Sequence, residues 1–142
     1  PVLIHVNSFN DLPSEHEVKE YNLNIMTQEE LKLLQSKDSA GAIVQKFKSG
    51  QLKILYSTKC NRGVDFPGET CNSIILTKYP YPNVKSLFWR ILRRTRPQHC
   101  TSFYMDKARR EFLQRIYRGL RSEEDHIYLL SPDIRVFSNS GN

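Results

Sequence analysis

The sequence predicts an α/β domain, a three-layer α/β/α sandwich with a mainly parallel central sheet. Three observations predict it. Strand-like and helix-like segments alternate along the chain. The strand-like segments are short and continuously apolar, as in VLIHV and SIILT, which is the pattern of strands buried on both faces. The clearer helix-like segments, at 40–47, 84–92 and 113–120, each carry one apolar stripe, as in helices that cover a sheet.

Val2–Val6 reads as the first buried strand, and the polar run Asn7, Ser8, Asn10, Asp11 ends it. A helix follows over about Ser14–Lys19. LNI (23–25) reads as a second short strand. Thr27 and Glu30 form a capping-box pair ahead of a helix carrying Leu31 and Leu34. Ala40, Ile43, Val44 and Phe47 recur at helical spacing, with Asp38 or Ser39 to cap the start and Gly50 to stop it.

LKILY (52–56) is the next strand, then a loop with two glycines and a proline (58–70), then strand SIILT (73–77). Pro80 and Pro82 break the chain. Val84, Leu87, Phe88, Ile91 and Leu92 form a stripe with Arg90, Arg93, Arg94 and Arg96 around it, and Trp89 fits helix packing better than base stacking. A long helix is expected from about Ser102 to Leu120. IYLL (127–130) and IRVF (134–137) read as closing strands, and 138–142 as a disordered tail. Residues 1–137 form one domain without repeats, and the start at Pro1 reads as that of a fragment of a larger protein.

The composition bounds the function. The 142 residues, 39% hydrophobic and 25% charged, suit one folded domain, and no apolar run reaches membrane-spanning length. Cys60, Cys71 and Cys100 have neither disulfide-framework nor zinc-pair spacing and read as free thiols in a reducing compartment. The four histidines lack ligand spacing, so no metal site is expected. Net charge is +6. The segment 85–121 holds 11 Lys/Arg and 2 Asp/Glu and carries +9; the remainder, with 10 and 13, carries −3. Such a segment suits a polyanion, either nucleic acid or nucleotide phosphate, although a solvated helix face has the same composition.

Three groups of residues point to chemistry. On a continuous helix at about 100° per residue, Leu113, Ile116, Tyr117 and Leu120 make a buried stripe, and Gln114, Arg118 and Arg121 share one polar face. Two guanidinium forks beside a glutamine suit a terminal phosphate; a salt-bridged surface face uses the same residues. Gly63, Asp65 and Gly68 lie in the loop after LKILY, where α/β sheets bind ligands, and a plain turn is the competing reading. The spacing is not that of a Walker phosphate loop. Ser8 and Asn10 after the first strand, and Thr58 after a later one, are small polar groups of the kind that hold a nucleic-acid backbone.

These blocks, in this order, resemble the second RecA-like domain of superfamily 2 helicases, in the XPD/DinG branch. LIHVNSFNDL (3–12) resembles motif IV. STKCNRGVDFPGE (57–69) resembles motif V, with its G-x-D-F core at Gly63, Asp65 and Phe66. ILTKYPYPN (75–83) resembles the strand and Pro-Tyr-Pro turn that follow. LQRIYRGLRSEED (113–125) resembles motif VI, Q-x-x-G-R-x-x-R and then Asp, at Gln114, Arg118, Arg121 and Asp125. Tyr117 stands where that motif has Gly, and His126-Ile127 replace the commoner small residues after the Asp.

The resemblance implies a RecA-like fold and half of an ATP-driven motor. ATP and Mg2+ would be held mainly by a first domain outside this chain. Arg118 and Arg121 would act as arginine fingers and Gln114 as a phosphate or water sensor. Gly63, Asp65 and Asp125 would couple nucleotide state to the bound strand. Ser8, Asn10, Thr58, Lys59 and Arg62 would grip single-stranded DNA. The implied partners are that strand, the first RecA-like domain of the same parent chain, and repair or transcription-repair proteins, with no membrane. An iron–sulfur cluster belongs to some parents of this branch and not to this chain. The implied location is intracellular, cytoplasmic in a prokaryote or nuclear in a eukaryote. The alternative is a catalytically silent, motor-like module that binds nucleic acid or a partner protein, and Tyr117 is the feature that keeps it open. The Pro-Tyr-Pro turn and the glutamine of motif VI argue against other superfamily 2 motors.

Overall fold

Four short strands form one parallel sheet in a computed structural model that describes residues 1–38, 41–58, 66 and 70–138. They are β1 (Val2–His5), β2 (Ile54–Ser57), β3 (Ser73–Leu76) and β4 (Tyr128–Leu130), in the spatial order β2-β1-β3-β4. Leu3 lies opposite Leu55 and Ile74, and Ile4 opposite Tyr56 and Ile75. The register therefore puts Leu3, Leu55 and Ile74 on one face and Ile4 with Tyr56 on the other.

Helices cover both faces. Val6, Leu12 and Leu31, with Ile4, Phe9, Met26 and Tyr56, make a small cluster under α2 (Gln28–Lys37). On the other face the main core joins Leu3, Leu55, Ile74 and Leu76 to Phe47 of α3 (Ala42–Lys48), to Ala108 and Phe112 of α5 (Pro97–Ile116), and to Val136 of α6 (Arg135–Ser138). The expected three-layer α/β/α architecture, the RecA-like arrangement, is thus observed. Phe66 enters this core edge-on to Phe47, with centroids 5.2 Å apart and planes at 86°. Such pairs contribute about 0.5–1.5 kcal/mol beyond their buried area.

Local chemistry explains most element ends. Ser14 caps α1 (Glu15–Glu20), accepting from the Glu17 amide. The Thr27–Glu30 box closes in both directions, at 2.8 and 3.1 Å. Asp38 accepts from the Ala42 amide at 2.7 Å ahead of α3. Gly50, with φ of 78°, ends that segment in a conformation glycine adopts at no steric cost.

Several expectations are corrected. LNI (23–25) is a loop, with Leu23 and Ile25 exposed, because three apolar residues without a neighbouring strand have no ladder to join. IRVF (134–137) is not a strand: Arg135–Ser138 form helix α6, whose start Asp133 holds by accepting from the Arg135 amide. The edge strand β4 exposes Tyr128 and Leu130. Helix α4 (Leu87–Thr95) begins after the exposed Val84, buries Trp89 and leaves Leu87, Phe88 and Ile91 exposed. Trp89 packs on Phe103 and Tyr104 of α5, so the ring anchors the helix pair as expected. The long helix runs Pro97–Ile116 rather than 102–120, with Pro97 at its first position, where the missing N–H costs nothing. Cys71 is buried and Cys100 half-buried, both free thiols, and Cys60 lies outside the described residues. Ser138 ends α6, and 139–142 lie outside the described residues.

Candidate functional site

The chain leaves β1 for β2 on one side and returns past β1 to β3 on the other. Strand order therefore reverses at β1, and the crevice beyond its carboxyl end is where open α/β sheets take ligands. Asn7 stands there. Its amide N–H donates to Asp11 Oδ2 at 2.8 Å, its Nδ2 donates to the Tyr79 carbonyl at 3.2 Å, and its Oδ1 accepts from Arg115 Nη1 at 2.7 Å. One amide side chain thus ties the tip of β1 to the turn after β3 and to α5.

Asp11 organises the turn beneath it. It accepts from the Ser8 amide at 3.3 Å, from Thr77 Oγ1 at 3.1 Å and from Lys78 Nζ at 2.6 Å. Burial acts to raise its pKa, but the bonds from Lys78 and from the amides of Asn7 and Ser8 outweigh it and hold the carboxyl below its ordinary value. Asp133 does the same for the other turn. It accepts from the Tyr79 amide at 2.8 Å and pairs with Arg135, whose guanidinium lies 5.3 Å from the Tyr81 ring centroid. The Tyr79–Pro80–Tyr81 turn is therefore fixed at both ends.

Helix α5 turns Ala108, Phe112 and Arg115 inward. Arg115 is 5% exposed, and a buried guanidinium needs partners to offset its lost hydration. Glu111 at 3.3 Å and Asn7 supply them. His5 lies on the same sheet face as Leu3 and is fully buried, with Nε2 lacking a hydrogen-bond partner among the described residues. Burial first, then the charges of Arg115 and Arg118, push its pKa down to about 3, so the imidazole is neutral at physiological pH.

Past the helix end, Tyr117 caps α5 and is 56% exposed. It does not pack on the apolar stripe as the helical projection predicts, because the helix stops at Ile116 and the projection no longer applies. For the same reason Gln114, Arg118 and Arg121 do not share one helical face. Gln114 is exposed on α5, Arg118 is buried at 8% exposure, and Arg121 is exposed beyond the turn. The Arg118 carbonyl accepts from the Phe66 amide at 3.0 Å. Gly119 follows in a tight place, where an added Cβ would sit 2.9 Å from Ile127 Cγ2. Asp125 then accepts from the amides of Arg121 and Ser122 at 2.7 and 2.8 Å, so it fixes the Arg121 backbone. These two bonds, Arg121 first, outweigh desolvation and lower its pKa.

Gln114 opens onto a cleft of about 700 Å³ shared with Asn7, Thr58 and Arg115. Thr58 exchanges hydrogen bonds with Gln35 at 3.2 and 3.3 Å, while Ser8 and Asn10 are exposed at the tip of β1. Lys59, Arg62, Gly63, Asp65 and Gly68 lie outside the described residues. Sequence reasoning missed Asn7 and Arg115. The position directly after a buried strand was a signal for Asn7, but the inward turn of a charged Arg115 left none. Among the described residues no cluster of three or more His, Cys, Asp or Glu converges. The donors offered at the end of α5 are guanidinium groups, which suit phosphate oxygens rather than a cation.

A family model described as the helicase C-terminal domain matches residues 2–141. No curated protein matches the chain.

Proposed function

The chain belongs to the helicase C-terminal domain family of superfamily 2, and from that premise we propose that it is the second motor half of an XPD/DinG-type, ATP-dependent DNA helicase. In this reading ATP and Mg2+ sit on a first domain, and this chain completes the site from across the cleft. Arg121, exposed and with its backbone fixed by Asp125, reaches the terminal phosphate and neutralises charge developing during transfer. Arg118, buried beside His5, positions the turn and carries its charge close behind. Gln114 senses phosphate or water. Ser8, Asn10 and Thr58, with Lys59 and Arg62, grip single-stranded DNA, and opening and closing of the domains moves the grips past each other. Gly63 and Asp65 couple the two events. Repair is the process this activity serves, inside the cell.

The observation that carries the reading is the Phe66–Arg118 hydrogen bond. It joins the strand-gripping block to the phosphate-facing block, which is the coupling a motor needs. The test is ATP hydrolysis by the full-length protein with single-stranded DNA, comparing wild type with Arg121→Ala. The expected result is a loss of turnover by about 10³-fold or more with ATP binding kept. Unchanged turnover would sink the finger assignment, and absence of DNA-stimulated turnover in the wild type would favour the silent binding module.

A further inference from the structure

The strand-tip residues occupy only one end of the 700 Å³ cleft. From Asn7 and Thr58 it continues past the Pro80–Tyr81–Pro82 turn and along α5 to Arg110, Lys107 and Phe103. Phe103 and Gln114 are separated by about 16 Å of helix, at 1.5 Å per residue. None of the α5 residues at the far end belongs to the motif blocks.

Two properties meet there. The first is charge. Lys107 and Arg110 face the cleft and are exposed, and Arg110 is held by Asp106 one turn away. A surface pair of this kind contributes little to stability, so a phosphate competes readily for the guanidinium. The second is a fixed, accessible ring. Phe103 is 42% exposed, yet Trp89 supports it from below with centroids 5.7 Å apart, and exposed Phe88 adjoins it at 6.2 Å. Tyr81, which also lines the cleft, is held by stacking on Tyr104 of α5 at 5.3 Å and 7°. A held aromatic face beside basic side chains is what single strands use: bases stack on the ring, and cations take the phosphates.

We propose that a single strand held at the tips of β1 and β2 continues along this cleft, where Phe103 stacks on one base and Lys107 and Arg110 take the flanking phosphates. The inference rests on the reading of this chain as a DNA-gripping half and extends the grip beyond the helicase motifs.

The test is equilibrium binding of a fluorescent oligothymidylate to the full-length protein across a salt series. Phe103→Leu keeps an apolar side chain but removes the ring face, and is expected to weaken binding about tenfold. Lys107→Gln and Arg110→Gln are each expected to reduce the salt slope by about one. An abasic site scanned along the oligonucleotide should weaken wild type at one position where Phe103→Leu is insensitive. If all three variants bind as wild type with the same salt slope while Thr58→Val binds more weakly, the extended path is wrong and the strand-tip grip stands. The aromatic patch would then be assigned to a protein contact. A wild type that binds no single strand overturns both.

Discussion

The Phe66 amide donates to the Arg118 carbonyl at 3.0 Å, while the Phe66 ring lies edge-on against Phe47. One residue is thus bonded to the turn after α5 and buried in the main core. Phe66→Ala is expected to destabilise the fold by about 3–5 kcal/mol, the usual range for a buried phenylalanine. Denaturant titration measures it, and a change under about 1 kcal/mol would show that the ring is not part of the cooperative core.

Gly119 leaves no room for a side chain: a Cβ there would meet Ile127 Cγ2 at 2.9 Å and Ile74 Cδ1 at 3.5 Å. Gly119→Ala is expected to cost about 1–3 kcal/mol by overpacking. Ile127→Ala in the same chain should recover part of that relative to the sum of the two single changes. Strict additivity in the double-mutant cycle would mean that the strain lies elsewhere.

His5 links stability to pH. Its pKa falls from 6.5 to about 3 on folding, so the unfolded chain binds more protons between those values. Its contribution is fully present above pH 6.5 and is lost as pH falls towards 3, at up to about 1.4 kcal/mol per unit. Asp11 and Asp125, whose pKa values are also depressed, lose their contributions only as pH falls below the ordinary carboxylate range. Unfolding free energies at pH 7 and 5 should therefore differ in wild type, and the difference should shrink in His5→Gln. An equal difference in both proteins would rule His5 out as its source.

Asp125 accepts from the Arg121 backbone amide at 2.7 Å. Asp125→Ala should therefore lower ATP turnover of the full-length protein through misplacement of the arginine, by about tenfold, equivalent to about 1.4 kcal/mol of barrier. This is a smaller loss than that of Arg121→Ala. Steady-state rates with saturating DNA compare the two. A larger loss for Asp125→Ala would place that carboxylate at the reacting atoms.

The buried strands, the capping box at Thr27 and the α/β class were legible because each depends on residues close in sequence. LNI and IRVF misled because three or four apolar residues fit a strand equally well with or without a neighbour to pair with. The helix at α4 was legible from its stripe, but periodicity shows that a helix has an apolar side and not what meets it. In the site, Ser8 and Thr58 stand at the strand ends where the sequence puts them, and Arg121 lies exposed beyond α5. Arg115 was not legible, because its burial depends on Asn7, which only the folded sheet brings near. The single polar face of Gln114, Arg118 and Arg121 failed at one physical point, the end of α5 at Ile116.

The placement of β1 has a consequence for how the chain acquires its structure. It is the first strand in sequence, yet it lies inside the sheet, with β2 on one side and β3 on the other. Both pairings close long loops, so their entropic cost comes before any ladder bond repays it. During synthesis the apolar run Val2–Val6 must wait for Ile54–Ser57 and then Ser73–Leu76 to leave the ribosome. For that interval both of its edges are open to other chains. Slow refolding that depends on protein concentration is the expected outcome of this order of assembly, and refolding rates measured across a dilution series check it.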